Sequence, residues 1–214
     1  MRQKEILTAA AVTLLATGYW IIKKDTIPGA GDDPGQAGSR ATVAGEYSCL
    51  TGCTLLGHPN NGGNSFHVLH GSNKYRVQLY FVDSLKIRRH RSTNDHSSNQ
   101  DNLPQFTGKE VTQCRIAAKK FTLSLLKGRH FKVYTRNHAV PGGNGIYAFV
   151  EIEDSSGSRH LLSELLVEQG LAGIQVRGAK LPDGTSISGQ KDKLHTIEDS
   201  AREARLGIWG YFEQ

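Results

Sequence analysis

Apolar and polar side chains alternate along Tyr75-Arg76-Val77-Gln78-Leu79-Tyr80-Phe81-Val82-Asp83-Ser84. Val77, Leu79 and Phe81 fall on one face and Arg76, Gln78 and Tyr80 on the other, the period of two that a half-buried strand requires. The run predicts a strand that delivers Asp83 to its end. Just upstream, Ser65-Phe66-His67-Val68-Leu69 has the same character, and Gly71-Ser72-Asn73 supplies the residues of a short hairpin loop, so the two strands are expected to pair antiparallel. Farther along the period lengthens. Over residues 109–127, Val111, Cys114, Ala117 or Ala118, Phe121 and Leu125 recur at steps of three and four, which predicts a helix with Gly128 placed for a left-handed C-cap. Residues 131–135 and 147–152 read as strands joined across the turn residues Pro141-Gly142-Gly143-Asn144-Gly145. Residues 161–169 read as a second helix capped by Gly170 and residues 180–192 as a polar loop. Leu194, Ile197, Ala201 and Ala204 mark a third helix ending at Gly207, with Trp209 folding back on the core.

Five or so short strands, with helices between and after them, match a small barrel of the oligonucleotide-binding (OB) type in the α+β class. The chain of 214 residues is long enough for one such domain plus appendages and buries a core without staples. The appendages lie at the amino end. Residues 6–22 carry no charge and are bounded by Arg2 and Lys4 on one side and Lys23-Lys24 on the other. Length alone leaves three readings: an uncleaved membrane anchor, a cleaved signal, or a buried helix. Tyr19 and Trp20 near the far end, followed by the lysine pair, favour the anchor, with residues 6–22 in the membrane. A cytoplasmic amino terminus with the domain exported to the periplasmic or extracellular side is then expected. Residues 25–45 are rich in glycine and proline and poor in apolar surface, so they read as a flexible linker. The expected organisation is residues 1–24 as anchor or signal, 25–45 as linker and 46–214 as the barrel domain.

The formal charge of +6 is unevenly placed: Arg2, Lys4, Lys23 and Lys24 against Glu5 give +3 to residues 1–24, which leaves +3 for the rest. The remaining basicity is concentrated in Leu85-Lys86-Ile87-Arg88-Arg89-His90-Arg91, where Lys86, Arg88, Arg89 and Arg91 form a candidate nucleic-acid contact. The plainer reading is a solvated loop with surplus charge. No aromatics are interleaved with it to stack bases. Cys49 and Cys53 are spaced either for a small disulfide in an exported domain or for two thiols, and Cys114 reads as a buried small hydrophobe. His58 sits in a turn, and His67 and His70 read as surface or hydrogen-bonded strand histidines, so zinc spacing is absent.

The order Gly63-Asn64-Ser65-Phe66-His67-Val68, a hairpin, Gln78-Leu79-Tyr80-Phe81-Val82-Asp83-Ser84, a helix, Tyr147-Ala148-Phe149-Val150, and Leu162-Ser163-Glu164-Leu165-Leu166-Val167-Glu168-Gln169-Gly170-Leu171-Ala172 resembles the staphylococcal nuclease (thermonuclease-like) domain over about residues 47–210. The resemblance implies a five-stranded OB barrel of the staphylococcal nuclease type with about three helices. It also implies phosphodiester hydrolysis with one Ca2+ held by carboxylates, a glutamate assisting the attacking water and two arginines stabilising the phosphoryl charge.

Position by position, most of that chemistry is substituted. The resemblance puts the first metal carboxylate at Asn64 and the second at Asp83, the one metal-ligand candidate; Ser84 stands where a backbone carbonyl contributes. The first arginine falls at Gln78, the glutamate at Lys86 and the second arginine at Gly145. An amide lacks the charge that makes a hard-cation site strong, and neither glutamine nor glycine forms a bidentate cationic fork. Arg76, two residues before Gln78 on the same strand face, is a candidate replacement; Asp95 and Asp101 read as solvated loop carboxylates. The expectation is therefore a membrane-tethered pseudoenzyme that binds nucleic acid or an unidentified protein. The alternatives are a Ca2+-type metal-dependent endonuclease with a rearranged site, or a structural role in the envelope.

Overall fold

The structure is a computed structural model and describes residues 42–44, 46–83, 107–175 and 177–211. Residues 6–22, nearly all of the 25–45 segment, and Ser84, Lys86, Arg88, Arg89, Arg91, Asp95 and Asp101 lie outside the described residues. In chain order the elements are β1 (Thr42–Ala44), β2 (Tyr47–Leu55), β3 (Ser65–His70), β4 (Asn73–Leu79), β5 (Val82–Asp83) and α1 (Gly108–Leu126). They are followed by β6 (Phe131–Ala139), β7 (Ile146–Glu153), β8 (Arg159–Leu161), α2 (Leu162–Glu168), β9 (Gly173–Ile174), α3 (Ile187–Glu203) and a short 3-10 helix, Gly207–Tyr211.

Five of the strands close on themselves. β2 pairs antiparallel with both β3 and β6, β3 with β4, and β6 with β7, while β4 and β7 run parallel. The circuit β2-β3-β4-β7-β6 is a closed mixed barrel with helices around it, an α+β arrangement of OB-like kind. Alternation builds its wall: Phe66, Val68 and His70 of β3 are buried and Ser65, His67 and Leu69 only half so. Phe66, Val68, Val77 and Val133 are 0% exposed, and each such side chain contributes about 1.5–3 kcal/mol on burial.

The run from Tyr75 to Ser84 is not one strand. β4 ends at Leu79, Phe81 takes a left-handed φ of 67°, and β5 leaves the barrel to pair with β9. Tyr80 and Phe81 are both buried, at 1% and 0% exposure, so the period of two fails where the core claims two consecutive aromatics. Tyr80 N–H donates to Ala148 O, and Phe81 is tied to the α2–α3 connection by its own N–H to Arg177 O and by Gln175 N–H to Phe81 O. Tyr80 stacks on Tyr147 with centroids 5.3 Å apart, and burial pushes its phenol up to about 12.

α1 starts one residue before the expected boundary, on a capping box that the apolar periodicity did not reveal. Thr107 Oγ1 accepts from Glu110 N–H and Thr107 N–H donates to Glu110 Oε2. Its buried face is Val111, Cys114, Ala118, Thr122, Leu125 and Leu126; Ala117 is exposed. Gly128 and Gly170 take φ of 71° and 61° just past α1 and α2, as expected. α3 begins at Ile187, inside the stretch read as a polar loop, with Ser186 Oγ accepting from Gly189 N–H. The reason is its inner face, Gln190, Leu194, Glu198 and Ala201, half of which is polar. Gln190 Nε2 donates to Glu164 Oε1 at 2.9 Å and Arg202 donates to Glu198 at 2.9 Å, so both polar groups are satisfied where they are buried. Ala204, expected on that face, is exposed.

Trp209 is buried beside Cys114, Ala201 and Ile208, with the Arg202 guanidinium 4.4 Å from its ring centroid. β6 runs four residues beyond its expected end, and Thr42–Ala44, at the end of the stretch read as linker, pair with β2 as β1. All three cysteines are free and buried. Burial pushes the Cys53 thiol up to about 12 and Cys114 up to about 11. Among the described residues, no helix is long and apolar enough to cross a membrane.

Candidate functional site

Two elements hold Asn64. The β2–β3 loop is pinned to α1, where Thr122 Oγ1 donates to Gly63 O at 2.8 Å and a Cβ on Gly63 would stand 2.6 Å from that of Ala118. Only glycine permits this approach. The next residue, Asn64, is buried, and its carbonyl accepts from Leu79 N–H at 2.9 Å. Asp83 arrives from the other side, half-buried on β5 opposite Gly173 of β9. Asn64 Nδ2 donates to Asp83 Oδ1 at 3.2 Å. The reverse amide orientation would set two oxygens against each other, so the carboxylate itself fixes which way Asn64 points.

That geometry answers how well the corner suits Ca2+. A hard cation takes six to eight oxygen ligands, strongest when anionic. Here the amide turns its nitrogen, not its oxygen, to the one carboxylate, and among the described residues no three His, Cys, Asp or Glu side chains converge. The described residues do not fit the ion.

Gln78 lies on β4, half-buried, in register with Ser65 on one side and Tyr147 on the other. Gly145 is not beside it in register: Val77 pairs with Ile146, which places Gly145 against Arg76. A Cβ on Gly145 would meet Arg76 O at 3.1 Å and Arg76 Cγ at 3.6 Å. The Arg76 guanidinium continues over the same loop, with Nη1 3.6 Å from where a Gly143 Cβ would stand. Arg76 is exposed and makes no ion pair among the described residues. The structure thus brings Asn64 to Asp83 and Arg76 to Gly145.

Sequence reasoning passed over a third group. His58, in the β2–β3 loop, lies against His67 of β3 with ring centroids 3.9 Å apart and ring planes tilted by 34°. Asn61 Oδ1 accepts from both His67 N–H and His67 Nδ1, each at 2.9 Å, so the proton of neutral His67 sits on Nδ1. His67 faces Arg76 across the hairpin register. Burial, then His58, then Arg76 hold the His67 imidazole below its ordinary value. The available signals were the outward phase of His67 on its strand and an asparagine six residues before it; His58 carries no pattern of its own. His70, read as a surface or satisfied histidine, is buried.

The fold and these positions define a closed five-strand OB-like barrel whose outer β3–β4 face and two flanking loops carry its polar chemistry. No known family model matches the chain, and no curated protein matches it at a significant level of similarity.

Proposed function

We propose that this chain is a membrane-tethered OB domain of the staphylococcal nuclease type that has lost phosphodiester hydrolysis and binds nucleic acid through the outer face of its barrel. The observation that carries this reading is the Asn64–Asp83 hydrogen bond. At the corner where the resemblance puts two metal-binding carboxylates, one carboxylate spends an oxygen on an internal amide. Gln78 and Gly145 stand where it puts the two phosphate-stabilising arginines, and neither side chain carries charge. Hydrolysis that depends on several groups each worth a few kcal/mol in the transition state loses nearly all its rate when most are replaced. Binding has no such demand: an exposed guanidinium such as Arg76, in no ion pair among the described residues, meets it by releasing counterions from the phosphate backbone. The uncharged 6–22 segment with its lysine flank supplies the tether.

The test is incubation of the full chain, in detergent, with single-stranded DNA and RNA in calcium, magnesium or manganese. The expected result is no cleavage in any metal, together with binding that weakens steeply as salt rises. Metal-dependent cleavage abolished by chelator and by Asp83→Ala would replace this reading with that of a rearranged nuclease. Binding absent or indifferent to salt would replace it with that of a protein-binding module.

A further inference from the structure

We propose that the nucleic acid's phosphates dock on the patch formed by His58, His67 and Arg76, and that docking is coupled to proton uptake by His67. The inference rests on the nucleic-acid-binding reading above and assigns it a place and a control.

The patch draws on four parts of the barrel. His58 and Asn61 come from the β2–β3 loop, His67 from β3, Arg76 from β4, and the glycines Gly143 and Gly145 beneath the arginine from the β6–β7 loop. In OB barrels such a combination of strand face and flanking loops is where extended polymers lie. The loop that carries His58 is fastened independently, since Lys119 Nζ of α1 donates to Pro59 O at 3.1 Å and Asn61 Nδ2 donates to Leu56 O at 2.9 Å. The imidazole stack is therefore held before any ligand arrives.

Its protons are arranged for a switch. Asn61 fixes the Nδ1–H tautomer of His67, so a second proton enters at Nε2 without breaking an existing hydrogen bond. The groups acting on that ring are His58 in the loop and the Arg76 guanidinium on β4. Positive charge at His67 is disfavoured in the free protein and becomes favourable when a phosphate sits among the three groups. A ligand that binds one protonation state more tightly draws the equilibrium toward it. The exposed His58 ring also gives the stack an outer aromatic face of the kind on which bases lie.

The experiment is a pH series of binding by the full chain to a fluorescein-labelled single-stranded DNA oligonucleotide at fixed ionic strength. Wild type should tighten about tenfold between pH 8 and 5.5, since one linked proton changes affinity by at most a decade per pH unit. The double variant His58→Gln/His67→Gln should lose most of the tightening, and Arg76→Gln should weaken binding at every pH. As a readout independent of variants, the His67 ring proton resonance should titrate at higher pH once oligonucleotide is added. A double variant with the wild-type pH slope, or a His67 titration that does not move, overturns the patch and leaves the binding reading standing. Failure of wild type to bind at any pH overturns both.

Discussion

At the Asn64–Asp83 corner a carboxylate meets an amide at 3.2 Å, whereas on the outer face of β3 and β4 two imidazoles and a guanidinium meet one another. Both lie on the same hairpin and its loops, yet they use charge oppositely. The corner turns a polar pair inward and satisfies it within the fold, which stabilises the loop and uses acceptor capacity that a ligand would otherwise take. The face leaves an exposed guanidinium beside an imidazole that it helps to keep neutral, an arrangement that gives little to stability and is relieved by an anion. On the proposed reading, binding in this barrel follows unmatched charge rather than the positions that the resemblance marks.

The comparison breaks most forcefully at the corner's support. Gly63→Val places a branched side chain where even a Cβ lies 2.6 Å from Ala118 Cβ and 3.1 Å from its backbone carbon. α1 has to move, with an expected loss of about 3 kcal/mol measured by denaturant unfolding. Oligonucleotide binding by the fraction still folded should persist, because Asn61 ties the loop to Leu56 and to His67 without calling on α1. Unchanged stability would mean the loop and α1 are not locked together.

Asn64→Asp tests whether the corner is one charge away from being a metal site. Without metal, the new carboxylate faces Asp83, loses the donated hydrogen bond and should cost about 1–3 kcal/mol. Millimolar Ca2+ should restore part of it, read as a Tm that rises with Ca2+ in the variant and is indifferent to it in wild type. A wild-type Tm that already responds to Ca2+ contradicts the fit argued from Asn64.

How far the sequence was legible follows from the same physics. Strands and helices with an apolar face declared themselves: the β3–β4 hairpin, α1 with Gly128 and α2 with Gly170 stand where alternation and three-four spacing put them. α3 was read short because its first turns bury Gln190 rather than an apolar side chain, which its distant partner Glu164 makes tolerable. The break at Phe81 was invisible because a left-handed φ on a phenylalanine is imposed by tertiary ties to Arg177 and Gln175. At the site, the spacing of Asn64, Asp83 and Gly145 could be read, but not their mutual geometry. Arg76 came to lie beside Gly145 through a parallel pairing of β4 with β7 that no local pattern encodes. The His58–His67 stack depends on a loop path and was passed over entirely.

A smaller effect sharpens the electrostatic half of the comparison. The folded-state His67 imidazole is held below its ordinary value, mainly by burial, while the unfolded chain titrates near the usual 6.5. Its contribution to stability is therefore complete above the unfolded value and is lost as pH falls through the depressed folded value, because the unfolded chain takes up the proton first. His67→Gln should flatten the fall of unfolding free energy between pH 7 and 5 by at most one proton's worth of slope, measured in denaturant titrations at several pH values. An unaltered slope would show that the imidazole stack does not hold His67 neutral.

The smallest expected effect is the one that separates a patch from diffuse basicity. On the β7–β8 surface Arg159 is also an exposed cation, but Glu151 lies 3.7 Å and Glu153 4.0 Å from its Nε, and Glu151 is shared with Lys132 at 3.3 Å. An exposed pair of this kind contributes about 0–1 kcal/mol, so Arg159→Ala should change unfolding by less than that. Its charge is already answered by carboxylates, so it releases few counterions on binding nucleic acid, and the salt slope of oligonucleotide affinity should be that of wild type. Arg76→Ala, which removes a cation with no such carboxylate among the described residues, should lower the slope by about 0.7 for single-stranded DNA. Equal losses in the two variants would mean that binding reads total charge, and the distinction between matched and unmatched cations would carry no function.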